Sequence, residues 1–449
     1  MKSKLKNTGI NLNGVRILSI GFFVAIIIGA ILLTLPISSA NGEATNFLDS
    51  LFTSTSAVCV TGLITVDTGT HWSTFGQTVI ILLIEVGGLG FMSFATMIAV
   101  LLGKKITLKE RLVMQEALNT FSIQGMVRMV KYVLGFTFLV QIFGALLLST
   151  QFVPEYGIIK GMGFSFFHSI SAFCNAGFDL FGNFTSLTNH NTNSVIILTI
   201  SFLIIIGGLG FTVWLEIYNY NGTRKLSLHS KIVILITSLL LVIGTILFLA
   251  VEFDNSNTIG NMGVKDKLLN SFFSSVTPRT AGFNSVDTNG TTNAGKLLTV
   301  ILMFIGGSPG STAGGLKTVT FGVILLTVIS VIRGREDTEV FERRIPKEIV
   351  YRSFAIFIIA FTLVLTVAMI LSITEPDEKF IDLLYEATSA FGTVGITTGV
   401  TQRLSTVGKI IIMITMYLGR VGPLTVAFAI IRSRKKTGIK YPKGKILIG

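Results

Sequence analysis

Charge is what this 449-residue chain has least of. Only 13% of its residues are Asp, Glu, Lys or Arg, against roughly a quarter in a soluble globular chain. Half of the residues are apolar and mean hydropathy is +0.73. Folded as a soluble globule, the chain would expose far more contiguous apolar surface than water tolerates. Cysteine is also scarce. Cys59 and Cys174 are the only two, too few for a disulfide framework or a cysteine-based zinc site. Each borders an apolar segment and reads as a small packing residue. No nucleophile–base pair and no paired carboxylates lie within the apolar stretches, which argues against an intramembrane enzyme. No phosphate-binding motif or soluble domain is present, so the chain is not expected to hydrolyse ATP.

Acid is the rarer charge, and the net charge is +13. Of the 36 basic residues, 26 fall in five clusters, at 2–16, 104–131, 224–231, 333–352 and 432–445. The positive-inside rule places all five on the cytoplasmic side. A nucleic-acid surface is the rival explanation, but no basic stripe is interleaved with stacking aromatics. The N-terminus has a basic start and a Ser-Ser-Ala before Asn41, which mimics a signal peptide. Its apolar run, 15–35, is long enough to span a bilayer, longer than a signal core.

What is abundant is glycine, 46 residues, and long apolar stretches. Eight stretches are long enough to cross about 30 Å of hydrocarbon: 15–38, 77–103, 127–150, 193–218, 230–252, 296–332, 349–373 and 406–431. An even number returns the C-terminus to the side of the N-terminus. Both ends carry basic clusters, so both are expected in the cytoplasm.

The outer connections repeat. Aligned on one glycine they read S-A-V-C-V-T-G-L, S-A-F-C-N-A-G-F, V-T-P-R-T-A-G-F and S-A-F-G-T-V-G-I, with Gly62, Gly177, Gly282 and Gly395 in register. A second landmark reads V-G-G-L-G-F, I-G-G-L-G-F, I-G-G-S-P-G and L-G-R-V-G-P. Its first glycines, Gly87, Gly207, Gly306 and Gly419, follow by 25, 30, 24 and 24 residues. Two landmarks at nearly one offset define an internal repeat. Each repeat is a spanning helix, a segment too short to cross, a glycine turn and a second spanning helix. The fold class is therefore all-α integral membrane. Four tandem helix–pore-loop–helix repeats give eight spanning and four re-entrant helices, pseudo-four-fold symmetric around one pore. The expected boundaries are 1–14 for a cytoplasmic N-terminus, 15–110, 111–225, 226–335 and 336–432 for the repeats, and 433–449 for a basic tail.

Such loops offer a cation backbone oxygens, the device that replaces a potassium ion's hydration shell. The candidate filter is Val60, Thr61 and Gly62; Asn175, Ala176 and Gly177; Thr280, Ala281 and Gly282; Thr393, Val394 and Gly395, with K+ expected at the four glycines. Asp67, Asp179 and Asp287 follow three of them. They either enrich cations at an outer mouth or cap local turns.

The sixth stretch carries Gly306, Gly307, Ser308, Pro309, Gly310, Ser311, Thr312, Ala313, Gly314 and Gly315. Proline and five glycines break a helix there, as a gate or as a kinked packing helix. A P-loop reading fails, because Gly-Gly-Leu-Lys-Thr lacks the required Gly-Lys-Ser/Thr after a strand. Lys317 and Arg420 are cations inside apolar stretches, where a charge costs at least about 2.5 kcal/mol. Arg420 is expected on the pore side as a barrier, or in an ion pair with an acid. Lys317 is expected to snorkel to the interface. His168, on the second re-entrant segment, reads as a packed or hydrogen-bonded residue, since no relay partner is visible.

On these four glycines the whole chain, about 10–449, resembles the membrane subunit of Ktr-type potassium uptake systems in the Trk/Ktr/HKT superfamily. The loops depart from the symmetric channel sequence T-V-G-Y-G. The resemblance implies potassium selection when all four positions are glycine, whereas serine in the first favours sodium. It implies that the broken sixth stretch is an intramembrane gate loop, obstructing the pore until it moves. It also implies potassium uptake across the plasma membrane, with Na+ as an alternative or coupling ion. A homodimer with one pore per subunit is implied, as is a cytosolic ring of nucleotide-binding regulatory (RCK/KTN-type) subunits. No cofactor is expected in this chain, and ATP or ADP acts only through that partner. A second reading, a secondary transporter with alternating access, draws on the broken helices. Four parallel repeats and few intramembrane acids count against it.

Overall fold

The computed structural model describes residues 14–90, 126–220 and 226–422. The expected N-terminal segment to residue 13, the basic residues 104–111 and 224–225, and the far ends of the 77–103 and 406–431 stretches lie outside the described residues. So does the tail 433–449.

The described chain is mostly helical. Four helices are long and apolar enough to cross a membrane unbroken: α1 (Gly14–Thr34), α5 (Met126–Tyr156), α9 (Leu228–Glu252) and α13 (Lys347–Thr374). Their outward faces are greasy. On α5, Leu139, Phe143 and Leu146 are all more than half exposed and share one face, the arrangement of a lipid-facing helix.

After each long helix comes a shorter, largely buried one: α2 (Phe47–Cys59), α6 (Ile158–Cys174), α10 (Val264–Val276) and α14 (Phe380–Gly392). Two small helices, α3 (Thr68–His71) and α15 (Val400–Arg403), sit in the outer loops. A second helix completes each set: α4 (Thr74–Leu89), α7 (Ser194–Gly208), α11 (Asn293–Phe304) and α16 (Thr406–Val421). Its start is signalled in the sequence. Ser73, Asn193, Thr292 and Ser405 are N-caps that accept from the N–H groups of Gly76, Ile196, Gly295 and Gly408 at 3.0–3.3 Å. Each cap is also tied to the outer end of its own long helix, or to the turn that follows it. Ser73 N donates to Ser38 O (2.9 Å), Asn193 Nδ2 to Gln151 Oε1 (3.0 Å), Thr292 N to Glu252 Oε1 (3.0 Å) and Ser405 N to Glu375 Oε1 (3.1 Å).

The second helices are shorter than the apolar stretches that carry them. Helix α4 stops at Gly90 (φ 81°) and α16 at Gly422 (φ 91°). The 193–218 stretch is two helices, α7 and α8 (Phe211–Tyr218), bent by 96° at Gly210 (φ 93°). Each break falls on the last glycine of the second landmark, whose left-handed backbone a helix cannot continue through. The 296–332 stretch is likewise two helices, α11 and α12 (Thr318–Ile332), separated by an irregular segment.

The three helices of each set pack on one another. Each second helix also packs on the short helix of the next set: α4 on α6, α7 on α10, α11 on α14, and α16 back on α2. The chain thus closes into a ring. Two of these four joints carry ion pairs, the buried Lys296–Asp382 and the half-buried Lys409–Asp49, both 2.8 Å. Lys296→Met should lower the melting temperature in detergent by several degrees. Removing one partner of a buried pair costs about 3–5 kcal/mol, while replacing both by apolar groups can be neutral. Adding Asp382→Leu should therefore restore most of the loss. An unchanged melt in the single variant would show that this joint does not hold the ring.

Between α12 and α13, in the 333–352 basic cluster, Glu339–Val340 and Arg343–Arg344 form a two-stranded hairpin. Asp337 pairs there with Arg344 (3.0 Å) and Lys347 (3.6 Å).

Candidate functional site

Each short helix leads into its glycine loop with the same backbone. The residue two before the glycine is left-handed in all four: Val60 (φ 57°), Asn175 (φ 60°), Thr280 (φ 70°) and Thr393 (φ 51°). Three of these are β-branched, for which positive φ is a strained outlier. Strain of about 1–3 kcal/mol per residue persists only where the surroundings enforce it, and it concentrates at functional sites. The glycines themselves also have positive φ, between 69° and 96°.

The four loops meet. A Cβ on Gly177 would lie 2.7 Å from Gly282 Cα and 2.8 Å from Ala281 O. One on Gly282 would lie 2.7 Å from Gly177 Cα and from Val394 O. One on Gly395 would lie 2.9 Å from Gly62 Cα and against Thr61 O; one on Gly62, 3.1 Å from Gly177 Cα and against Ala176 O. The glycines therefore form a closed ring, 62–177–282–395, with no room for a side chain. The carbonyls of Thr61, Ala176, Ala281 and Val394 each lie against a neighbouring glycine. These are the expected filter residues, and the fold brings all four loops together.

On one side of this ring lies an outer vestibule of about 500 Å³, lined by all four glycines together with Asp179 and Asp287. Asp67 does not line it. Its Oδ1 caps α3 through Thr70 N (2.8 Å), and its Oδ2 accepts from Phe184 N (2.8 Å), stitching the first outer loop to the second. Arg403 also lines the vestibule, paired through two nitrogens with Glu378 at 2.6 and 3.0 Å.

On the other side lies the 305–317 segment. It folds back on itself, with Gly306 N donating to Leu316 O (2.8 Å) and Thr318 N to Gly307 O (3.0 Å). The second set of helices holds it: Ser308 N donates to Gly208 O, Thr312 N to Gly207 O and Phe211 N to Gly310 O, at 2.9–3.3 Å. It touches the strained residues above it. Thr312 Oγ1 is 3.2 Å from Asn175 Oδ1, a Cβ on Gly306 would meet Thr280 Cγ2 at 3.3 Å, and Gly314 abuts Thr393. Vestibule, glycine ring, strained residues and broken segment thus stack in that order.

Arg420 ties the segment to the ring of helices. One terminal nitrogen donates to Thr312 O; the other donates to Gly87 O and, at 3.4 Å, to Gly88 O. Among the described residues no carboxylate lies within ion-pair distance of Arg420, so the acid partner weighed from sequence is replaced by backbone carbonyls. Lys317 turns back on the segment, its Nζ donating to Ala313 O at 2.7 Å. It does not extend away as a snorkelling side chain would.

Several site residues escaped the sequence reading. Ser56 and Ser389 accept from the ring glycines Gly62 N and Gly395 N (3.0 and 3.1 Å). Ser171 donates to Phe178 O (2.7 Å), and Thr277 donates to Phe283 O. The aligned S-A pattern marks three of these hydroxyls. The third loop has Val276 in that column and uses the next residue. Glu85 is a third charge inside an apolar stretch; it accepts from Gln141 Nε2 (3.0 Å) and the Cys174 thiol (3.2 Å). Arg279 is buried behind the third loop and reaches Thr237 O (3.3 Å).

Residues 13–437 match the family of TrkH cation transport proteins. The chain belongs to that family. The potassium/sodium uptake protein NtpJ of Enterococcus hirae is 44% identical over all of this chain and 99% of that protein. Ktr system potassium uptake protein B of Bacillus subtilis is 44% identical over 97% of this chain and 96% of that protein. The potassium transporter TrkH of Vibrio parahaemolyticus shares the fold, with a TM-score of 0.69 at 17% identity, covering 92% of this chain and 85% of that one. As a TrkH-family chain with several apolar spanning helices, this is a membrane-embedded cation transporter and not an enzyme.

Proposed function

We propose that this chain takes up potassium through a channel-like pore whose selectivity filter is the ring of Gly62, Gly177, Gly282 and Gly395. The observation that carries the reading is the closure of four loops, one from each tandem repeat (15–110, 111–225, 226–335, 336–432), onto a single ring too tight for side chains. Backbone oxygens of Thr61, Ala176, Ala281 and Val394 then replace the ion's hydration shell. The strained residues Val60, Asn175, Thr280 and Thr393 form the inner edge. K+ is the substrate; the potassium/sodium designation of one relative makes Na+ the second ion to measure.

The 305–317 segment is the gate. It lies across the inner side of the filter, held closed by Arg420 and by its bonds to the second repeat. On this reading the protein sits in the plasma membrane with both termini cytoplasmic, which the basic clusters support. It works as a homodimer with one pore per subunit. Relatives named as parts of Ktr systems suggest a further component, which we take to be a cytosolic ring of nucleotide-binding subunits. The 333–352 hairpin and the basic inner segments form its docking face, and ATP or ADP acts through that ring.

Purified protein in liposomes should pass K+ at least about tenfold faster than Na+, an energy difference of only about 1.4 kcal/mol. Equal rates for both ions would contradict the filter reading. Asp179 and Asp287 concentrate cations in the vestibule. Changing both to Asn should raise the K+ concentration for half-maximal flux about threefold at low ionic strength and less at high salt. An unshifted concentration dependence would leave them as loop residues.

A further inference from the structure

Four equivalent loops need not be held equally firmly. The position nine residues before each ring glycine lies on the short helix and is occupied by Thr53, His168, Phe273 and Glu386. In the second and fourth repeats this side chain reaches the outgoing strand of its own loop. His168 is fully buried. Its Nδ1 lies 2.7 Å from Phe164 O, and its Nε2 is 3.2 Å from Leu180 N, three residues past Gly177. A carbonyl can only accept, so Nδ1 carries the proton and Nε2 accepts from the Leu180 N–H. The ring is wedged between phenylalanines, with Phe181 at 4.5 Å and Phe283, the residue after Gly282, at 6.5 Å between centroids.

Glu386 is also fully buried. It accepts from Thr397 Oγ1 at 2.7 Å, two residues past Gly395, and from Thr401 Oγ1. Thr397 O accepts in turn from Thr288 Oγ1 (2.6 Å), which passes the constraint to the third repeat. The other two repeats differ. Thr53 Oγ1 has no hydrogen-bond partner among the described residues, and Phe273 has nothing to bond with. The second and fourth loops are not neighbours in the ring 62–177–282–395; they face each other across it.

We propose that His168 and Glu386 are positioning residues that fix one diagonal of the filter, so that discrimination between K+ and Na+ depends on these two braces and not on Thr53 or Phe273. The proposal rests on the pore reading above. Without an acceptor behind it, the buried Leu180 N–H is left unpaired, or the half-buried Thr397 hydroxyl loses the bond that ties it to the short helix, and the loop relaxes. A relaxed diagonal fits a smaller ion better than before.

The test is the K+/Na+ flux ratio in liposomes. His168→Phe and Glu386→Met keep packing volume but remove the acceptor. Each should lower the ratio about tenfold, the equivalent of one buried hydrogen bond left unmade, with K+ flux retained. Glu386→Gln and His168→Gln keep an acceptor and should recover most of the ratio, which a purely volumetric role would not give. Thr53→Val should leave the ratio unchanged. Wild-type ratios in both acceptor-free variants, or a loss in Thr53→Val as large as in Glu386→Met, would overturn the proposal. If the acceptor-free variants do not reach the membrane, the glutamine pair decides: failure to hold the ratio, in protein of normal flux, refutes bracing by an acceptor. Failure of the pore reading looks different, as wild-type flux that is indifferent to Gly62→Ser.

Discussion

Gly62→Ser is expected to leave a protein that still enters the membrane and conducts, but with its K+/Na+ flux ratio reduced by about tenfold or more. Two effects add. The backbone at this position has φ 96°, and an L-residue there carries a strain of about 1–2 kcal/mol. The new Cβ must also push against Ala176 O and the Gly177 backbone. The loop can move, because its neighbours are other loops, but movement displaces the oxygens that we propose coordinate the ion. Since about 1.4 kcal/mol is a tenfold ratio, strain alone reaches the expected size. The helices behind the loop are untouched, so the melting temperature should change little. Paired K+ and Na+ flux measurements on reconstituted wild type and variant check this. A variant with the wild-type ratio would remove Gly62 from the selective site.

Arg420→Leu should act in the opposite sense, raising K+ flux at least about tenfold while leaving the ion ratio intact. The guanidinium bonds Thr312 O in the broken segment and Gly87 O and Gly88 O in the first repeat. It is thus a strut between the segment we propose as the gate and the ring of helices. A hydrogen bond to a charged group contributes about 1.5–3 kcal/mol, so losing even one shifts the closed–open balance tenfold. Arg420→Lys, which cannot span both sides with a forked group, should fall between. If flux instead drops in both variants, Arg420 supports the pore wall and does not hold the gate shut.

The pattern of what could be read in advance follows from chemistry. A ring that excludes every Cβ forces glycine at the same place in each repeat, so Gly62, Gly177, Gly282 and Gly395 stood out in sequence. The first glycines of the second landmark stood out for a related reason. Gly87, Gly207 and Gly419 sit against the carbonyls of Val58, Phe173 and Phe391, in the last turn of the short helix. What stayed hidden depends on partners far apart in the chain or on conformation alone. Lys296 and Lys409 lie at the starts of apolar stretches, and nothing local marks their partners, Asp382 and Asp49, which belong to the next set of helices around the ring. Gly90, Gly210 and Gly422 lie within apolar runs, so hydropathy read through the breaks they impose. The third loop shifts its hydroxyl from the expected column to Thr277, which a column-by-column alignment cannot see. Asp67 looked like its two counterparts but is consumed by Thr70 and Phe184.

The central claim is that K+ passes through the glycine ring, stripped of water by backbone oxygens. Crystals of the protein soaked in Tl+ or Rb+ would locate the ion by anomalous scattering. The account predicts a peak on the ring axis, within coordination distance of the carbonyls of Thr61, Ala176, Ala281 and Val394, and its loss when Na+ replaces K+ analogues. Ions found only elsewhere, with none at the ring, would contradict it.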